Sequence, residues 1–158
     1  TYMKIALLSP AGAMHRYNGM FHKGLHYAPI TLALLAALVP KELEAEVVIY
    51  DETAEAIPLD NDADVIAITC ITGTSSRCYK FADYFRSLGK IVLLGGVHPS
   101  LMPTEAMKNP DAIILRSFKM HDMELGDNLK CVARAGAGVN NIPLDKCAEK
   151  VDKEATID

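Results

Sequence analysis

The chain has 158 residues, of which 50% are apolar and 23% charged, enough for about one globular domain with a sizeable core. Its formal net charge of −4 argues against a nucleic-acid-binding surface, which is normally basic. No apolar run reaches the ~20 residues of a membrane-spanning helix, and the N-terminus lacks a secretory pattern, so we expect a cytoplasmic protein whose partners are small molecules, not nucleic acids or membranes.

Short apolar runs alternate along the chain with segments of helical period, a pattern typical of βαβ units and a parallel sheet. The predicted strands are residues 4–8, 46–50, 64–69, 90–94, 112–115 and 130–133. The predicted helices are residues 29–39, 75–88, 104–108, 122–128 and 143–150. Pro40 is expected to stop the first helix, and Gly89 to close the second.

Right-handed crossovers between these elements predict an α/β fold, a three-layer flavodoxin-like (Rossmann-like) doubly wound parallel sheet. The expected strand order is 2-1-3-4-5, with residues 112–115 as the fifth strand and residues 130–133 as a possible extra edge strand. No repeat or low-complexity linker interrupts the chain. We therefore expect one domain over residues 1–158, in which residues 151–158 form a surface turn and a frayed end.

The four cysteines, Cys70, Cys78, Cys131 and Cys147, include no C-x-x-C pair, which argues against a zinc or thioredoxin-type site. We interpret them as buried, reduced thiols. A longer feature follows the first predicted strand, where a connection of roughly twenty residues (9–28) exceeds the usual loop length and contains several histidines, His15 among them. Long loops in compact domains are often functional, although a histidine without a positioned partner is more simply a solvated side chain.

Ligands of open parallel sheets bind beyond the carboxyl ends of the strands, near the switch in strand order. The candidate ligand-binding residues at that edge are Ser9, Gly12, Thr72, Gly73, Thr74, Ser75, Gly95, Gly96, Val97 and His98. The hydroxyl-rich turn at residues 72–75 fits either an ordinary helix cap or a cap that also contacts a ligand. The pair Gly95 and Gly96 permits close backbone approach or a positive φ, either at a ligand or in a tight turn. His98 precedes Pro99, which favours an extended turn residue over a catalytic base.

The runs MKIALLS (residues 3–9) and IVLLGGVHPSLMP (residues 91–103) resemble the cobalamin-binding domain of B12-dependent radical-SAM enzymes. This resemblance covers residues 3–110. It implies a flavodoxin-like sheet and a pocket for the nucleotide tail of cobalamin, lined by Gly95 and Gly96, with the turn at residues 72–75 packed beside it.

Two catalytic features of that family are missing from this sequence. The cysteine motif C-x-x-x-C-x-x-C, whose thiolates hold a [4Fe–4S] cluster, is absent, since Cys70 and Cys78 stand eight positions apart. The loop motif Asp-x-His-x-x-Gly, whose histidine ligates cobalt, is replaced by AMHRYNG at residues 13–19. Because the aspartate is missing and the glycine is one place late, His15 is not expected to ligate cobalt, and no other metal ligand is predicted.

From residue 111 to residue 150 the chain resembles the substrate domain of D-3-phosphoglycerate dehydrogenase, a D-2-hydroxyacid dehydrogenase. The runs that carry this resemblance are DAIILRS (residues 111–117) and VARAGAGVNN (residues 132–141). It implies an anion nest for a substrate carboxylate or phosphate, the alternative being a structural turn. The nest residues are Arg134, Gly136, Ala137, Gly138 and Asn140. The sequence contains no G-x-G-x-x-G loop opening a helix after a strand, so NAD binding is not expected.

These observations favour a non-catalytic, engineered chimera joined near residues 109–111, with residual cobalamin binding as its expected activity. Two alternatives stay open. One is a fragment of a hydroxyacid dehydrogenase that binds a small phosphorylated hydroxyacid. The other is a natural stand-alone cobalamin-binding module.

Overall fold

A computed structural model of the chain describes residues 2–12, 15–17, 20–22, 30–106, 111–115, 118–134 and 138–154. The chain divides into two compact units, Thr1–Met102 and Pro103–Asp158, called here the first and the second unit. The expectation of a single domain over the whole chain stays a prediction.

The first unit is built on a four-stranded parallel sheet. Its strands are β1 (Lys4–Ser9), β4 (Glu46–Asp51), β5 (Val65–Thr69) and β6 (Ile91–Gly95), and its helices are α1 (Ile30–Leu38), α2 (Ser75–Ser87) and α3 (Val97–Leu101). The strand order is β4-β1-β5-β6, all parallel, which is 2-1-3-4 in chain order. The predicted α/β flavodoxin-like fold is therefore confirmed.

Two crossovers leave the centre of this sheet in opposite directions. Helix α1 joins β1 to β4 and contacts both strands, whereas α2 joins β5 to β6 and contacts that pair. Right-handed crossovers of opposite direction place their helices on opposite faces of the sheet. The strand order reverses between β1 and β5, so the crevice of an open α/β sheet is expected above these two strands.

The main core lies between the sheet and α2. Leu8, Ile66 and Ile68 pack against Phe81 and Phe85 of α2, and each of these five side chains is buried. Because strand side chains alternate between faces, Leu7 points to the other side of the sheet from Leu8. Helix α2 ends as predicted, with Gly89 at a φ of +75° directly after Leu88.

Two short strands, β2 (His15–Tyr17) and β3 (Met20–His22), pair antiparallel within the long connection that follows β1. They were not predicted from sequence, because three-residue strands give too little alternation to recognise. His15 lies in β2, and the position of its side chain lies outside the described structure.

The second unit contains α4 (Pro103–Ala106), β7 (Ala112–Leu115), β8 (Cys131–Arg134) and α5 (Leu144–Glu154). Strands β7 and β8 form a two-stranded parallel sheet of their own. Residues 112–115 therefore form the predicted strand but pair with β8, and β6 is an edge of the four-stranded sheet. A small core of Met120 and Ile142 packs with Ile113 and Val132 of this pair.

Two element predictions in the second unit are wrong. Residues 122–128 form turns and irregular structure, because Gly126, Asp127 and Asn128 favour turns over helix. Residues 151–154, expected in a surface turn, continue α5 to Glu154, so the amphipathic pattern of this helix extends further than its predicted end. No helix in the described parts of either unit is both long enough and apolar enough to span a membrane.

Candidate functional site

The carboxyl ends of the four parallel strands bring most of the predicted ligand-binding residues to one edge of the first unit. Ser9 pairs in register with Asp51, and Thr69 pairs with Gly95, so the loops that follow these strands begin at the same level. Gly12 lies against the turn after β5, since a Cβ at that position would be 3.7 Å from the Thr74 Cγ2 atom. We call this set of loops the carboxyl-edge site.

The turn after β5 is a short 3-10 helix, Thr72–Thr74, that leads directly into α2. The Thr74 hydroxyl is buried and bonds within this turn, accepting from the Ile71 N–H at 3.3 Å and donating to the Ile71 carbonyl at 3.2 Å. The Ser75 hydroxyl donates to the Thr72 carbonyl at 3.0 Å. Thr74 occupies the N-cap position of α2, as one alternative predicted, but its side chain does not cap the helix. The hydroxyls of Thr74 and Ser75 instead stabilise the turn.

Gly96 is a glycine because the backbone of Cys70 passes directly over it. Its φ is +104°, and a Cβ there would lie 2.6 Å from the Cys70 carbonyl oxygen. The Cys70 N–H donates to the Gly95 carbonyl at 2.8 Å, and the His98 N–H donates to the Cys70 carbonyl at 3.1 Å. Both sequence-based expectations for the glycine pair, a close backbone approach and a positive φ, are therefore confirmed at Gly96.

Gly73 and Gly95 differ from Gly96 in what surrounds them. A Cβ at either position would meet nothing within 4 Å, and both residues are exposed. Val97, beside Gly95 and Gly96, is exposed as well. The outer surface of the site is therefore open at these two glycines, alongside the exposed side chains of Ile71, Thr72 and Val97, so that a ligand can approach the backbone there.

His98 lies beneath this open surface with only 3% of its area exposed. Its Nδ1 atom is 3.3 Å from the Thr72 hydroxyl oxygen, and its Nε2 atom is 3.1 Å from the Tyr79 hydroxyl oxygen. The rings of His98 and Tyr79 meet edge to face, with centroids 5.9 Å apart. The expected extended conformation of His98 is wrong. It belongs to α3, whose third residue is Pro99, and proline is tolerated in a first helical turn because those N–H groups have no intrahelical partner.

Glu52 and Arg77 form an ion pair across the same edge of the sheet. The Glu52 carboxylate, whose side chain is 11% exposed, accepts two hydrogen bonds from the Arg77 guanidinium and one from the Ala11 N–H at 2.8 Å. The bond from Arg77, above all, holds the pKa of Glu52 below its ordinary value. These contacts join the loop after β1, the end of β4 and the first turn of α2.

Two buried thiols lie under the turn after β5. Cys78 of α2 is 3.4 Å from the Thr74 hydroxyl oxygen and 3.6 Å from the Thr69 carbonyl oxygen. A hydrogen bond with the Cys70 thiol, chiefly, lowers the pKa of the Cys78 thiol. The expectation of buried thiols is confirmed for these two residues and wrong for the other two. Cys131 is exposed because its side chain lies on the outer face of β8, and Cys147 is partly exposed. Among the described residues no group of His, Cys, Asp or Glu side chains is arranged to hold a metal ion.

The predicted anion nest lies in the second unit and is described only in part, because Gly136 and Ala137 are outside the described residues. Gly138 has a φ of +81°, and Arg134 donates from Nη1 to the Gly138 carbonyl at 2.7 Å. Asn140 lines a shallow depression of about 710 Å³ together with His121, Leu144 and Lys146. The Arg134 side chain thus makes one bond within the segment of the predicted nest, and the nest itself stays a prediction.

Sequence reasoning did not identify Tyr79 and Arg77 as members of the site. Tyr79 follows Ser75 by four residues, and helix positions four apart share a face. That spacing was a usable signal once α2 had been placed at the carboxyl edge. The pairing of Glu52 with Arg77 spans 25 positions, and no local pattern indicates it.

Comparison with known proteins gave two curated relatives, both from Chlorobaculum tepidum. The chain is 37% identical over 86 residues to bacteriochlorophyllide d C-8(2)-methyltransferase, covering 54% of this chain and 19% of that protein. It is 36% identical over 97 residues to bacteriochlorophyllide d C-12(1)-methyltransferase, covering 60% of this chain and 21% of that protein. The chain therefore spans about a fifth of the length of these relatives.

No family model matches the chain, and no solved structure matches it significantly. Neither relative is a hydroxyacid dehydrogenase, so the resemblance of residues 111–150 to that family rests on the residues quoted for it alone.

Proposed function

We propose that the first unit is a cobalamin-binding module of the kind that B12-dependent radical-SAM methyltransferases carry, and that its ligand lies on the carboxyl-edge site. The observation that carries this proposal is the open, glycine-lined surface formed by Gly73 and Gly95 above a rigid buried layer. Two further findings support it. The two relatives are methyltransferases by name, and the run IVLLGGVHPSLMP, which resembles the cobalamin-binding family, contains half of this surface.

The described residues fit the nucleotide tail of cobalamin in three respects. The surface at Gly73 and Gly95 leaves the space that a Cβ would fill, so a ring can approach the backbone closely. The Thr72 hydroxyl stands at the border of this surface, where it can bond a polar edge of the tail. The exposed Val97 offers an apolar contact. Cobalamin itself supplies a cobalt centre suited to methyl-group chemistry, and in this proposal the protein holds and orients it.

The proposal includes no catalytic step by this chain alone. The sequence lacks the three-cysteine motif for a [4Fe–4S] cluster, and its motif around His15 lacks the aspartate and the glycine spacing that would position a lower cobalt ligand. We therefore propose that cobalamin binds without a histidine below the cobalt. Replacing His15 with Ala should leave both affinity and visible spectrum unchanged.

A pair of glycine variants tests the site. Gly95→Val fills the open surface without touching the fold, because nothing lies within 4 Å of its Cβ. We expect a normal melting temperature and a loss of hydroxocobalamin affinity of tenfold or more, about 1.4 kcal/mol, in a titration followed by the visible spectrum. Gly73→Val serves as the second variant of the same surface. If both variants bind as tightly as the unaltered protein, the ligand lies elsewhere. No change in the visible spectrum when hydroxocobalamin is added to the unaltered protein would contradict the proposal.

For the second unit we propose a structural rather than a catalytic role. The bond from Arg134 to the Gly138 carbonyl supports this, because it uses the guanidinium inside the turn. The hypothesis of an engineered join near residues 109–111 is unsupported by the relatives and stays a hypothesis. NADH-linked turnover of 3-phosphoglycerate that disappears on replacing Arg134 or Asn140 would contradict the structural role.

A further inference from the structure

Tyr79 holds a special position, because its hydroxyl group contacts the buried imidazole ring of His98. Its partner His98 is 3% exposed and has a hydroxyl at each ring nitrogen, that of Thr72 at 3.3 Å and that of Tyr79 at 3.1 Å. In a neutral imidazole one nitrogen donates and the other accepts. Two hydroxyls can satisfy both roles, so this ring is bonded on both sides in a site closed to bulk water.

The two hydroxyl partners of His98 belong to different elements. Tyr79 belongs to α2, which is fixed to the sheet by the buried side chains of Cys78, Phe81 and Phe85. Thr72 lies on the exposed 3-10 turn that borders the open surface. The His98 ring therefore links helix α2, through Tyr79, to the exposed turn, through Thr72.

His98 also fixes the second border of the open surface. The backbone N–H of His98 donates to the Cys70 carbonyl at 3.1 Å, and the backbone N–H of Cys70 donates to the Gly95 carbonyl at 2.8 Å. The residues that would meet a ligand, Gly73 and Gly95, have no side chains with which to hold themselves in place. These bonds to the layer beneath contribute to their orientation, together with the Thr74 and Ser75 hydroxyls that stabilise the first turn. In this layer the His98 ring joins the turn after β5 to the turn after β6.

We propose that Tyr79 is a positioning residue of the carboxyl-edge site, which acts through His98 to hold the turns at Thr72–Gly73 and Gly95–Gly96 in the arrangement that binds the ligand. This inference rests on the proposed function and adds to it a residue that contacts no ligand. The proposed role belongs to the Tyr79 hydroxyl rather than to its ring. The edge-to-face contact between the Tyr79 and His98 rings would survive removal of the hydroxyl.

The test compares Tyr79→Phe with Tyr84→Phe, the same substitution five residues further along the same helix. Tyr84 is 38% exposed and packs its ring against Phe85, so this control removes a hydroxyl from α2 away from His98. The first measurement is the side-chain ¹⁵N NMR spectrum of the ligand-free protein, with the His98 signals assigned from a His98→Gln variant. We expect one tautomer in the unaltered protein and in Tyr84→Phe, and averaged nitrogen shifts in Tyr79→Phe.

The second measurement is titration with hydroxocobalamin. Loss of one hydrogen bond that orders the site should weaken binding by about fivefold in Tyr79→Phe, whereas Tyr84→Phe should bind like the unaltered protein. If Tyr79→Phe does not fold, Thr72→Val removes the opposite partner of the same ring from an exposed turn and should produce the same averaging of the His98 shifts.

The outcomes separate this inference from the proposed function. If the unaltered protein does not bind hydroxocobalamin, both the proposed function and the role of Tyr79 within it are overturned. If it binds, and Tyr79→Phe binds equally well or keeps the single His98 tautomer, the proposed function stands and the positioning role of Tyr79 is overturned. Weaker binding with averaged His98 shifts in Tyr79→Phe alone supports the inference.

Discussion

At the scale of single residues, the two adjacent glycines after β6 have different reasons for being glycine. Gly96 is required by the fold, because the Cys70 backbone occupies the space of a side chain and φ is +104°. Gly95 has free space around its Cα and is available to a ligand. Sequence inspection treats the pair as one feature, and only the path of the neighbouring chain distinguishes its members.

This difference predicts unequal effects of the smallest possible side chain. Gly96→Ala should lower the free energy of unfolding by at least the ~1–3 kcal/mol of a strained backbone conformation, with a further loss from the contact with Cys70. Gly95→Ala should be close to neutral. Urea unfolding followed by circular dichroism checks both, and equal stability of the two variants would contradict the assignment.

Glu52 predicts an acid-sensitive contribution to stability. Its pKa is lowered in the folded protein, chiefly by the hydrogen bond from Arg77, relative to the ordinary value of 4.5. A lowered pKa means that the stabilisation is fully present above the unfolded-state pKa and is lost as the pH falls through the folded-state pKa. Glu52→Gln should therefore be less stable at pH 7 and show a shallower loss of stability between neutral pH and pH 3.

Thermal unfolding across this pH range measures the effect, and Glu55→Gln, an exposed position three residues away, provides the matched control. Parallel acid profiles for Glu52→Gln and the unaltered protein would show that the ion pair with Arg77 does not contribute.

At the scale of elements, helix α1 stands out because it is apolar on every side. Its nine residues, Ile30–Leu38, include no charge, yet within the helix only Leu32 is buried. The exposed large side chains are Ile30, Leu34, Leu35 and Leu38. Helix α2 is the opposite case, with a buried stripe of Cys78, Phe81 and Phe85 and a polar outer face.

Substitutions at the buried and at the exposed positions of helix α1 should change the free energy of unfolding by very different amounts. Leu32→Ala should cost ~2–5 kcal/mol, because it opens a cavity in the core. Leu34→Glu and Leu38→Glu should change the free energy of unfolding by no more than about 0.5 kcal/mol, as expected at exposed positions. Chemical denaturation of the three variants checks this, and a large loss in Leu38→Glu would show that its face is covered in solution.

These elements show how much of the fold and of the site could be predicted from the sequence. Strands β1, β4, β5 and β6 were predicted within one or two residues, because continuous apolar runs between turn residues are typical of parallel strands. The loop residues of the site were found by their place after those strands. The contacts of His98 with Tyr79 and Thr72 were not, because they span 19 and 26 positions, and only the folded chain brings these three residues together.

At the scale of the whole molecule, the partner of β7 changes what is expected of the second unit. Residues 112–115 were expected to cover the flank of the fourth strand, so that shortening the chain would expose it. In the structure they pair with β8 instead. The four-stranded sheet therefore does not depend on β7 for its hydrogen bonds.

A chain ending at Pro110 should consequently keep the stability of the first unit. All six tyrosines lie at or before residue 84 and the chain has no tryptophan, so the tyrosine signal in near-ultraviolet circular dichroism reports on the first unit alone. We expect its melting transition to shift by less than the ~4 °C that 1 kcal/mol would produce in a domain of this size. A larger fall would restore the expectation that the two units fold together.

The distribution of the thiols determines where a dye can be attached to this protein. Cys70 and Cys78 are fully enclosed in the first unit, while Cys131 on β8 faces the solvent. A maleimide dye added to the native protein should therefore attach first to the second unit and leave the ligand surface unmodified. If cobalamin binds as proposed, its visible absorption would quench such a dye to a degree set by the distance between them. Cys131 is thus a native attachment point for a dye whose quenching would report the distance between the second unit and the ligand on the first unit.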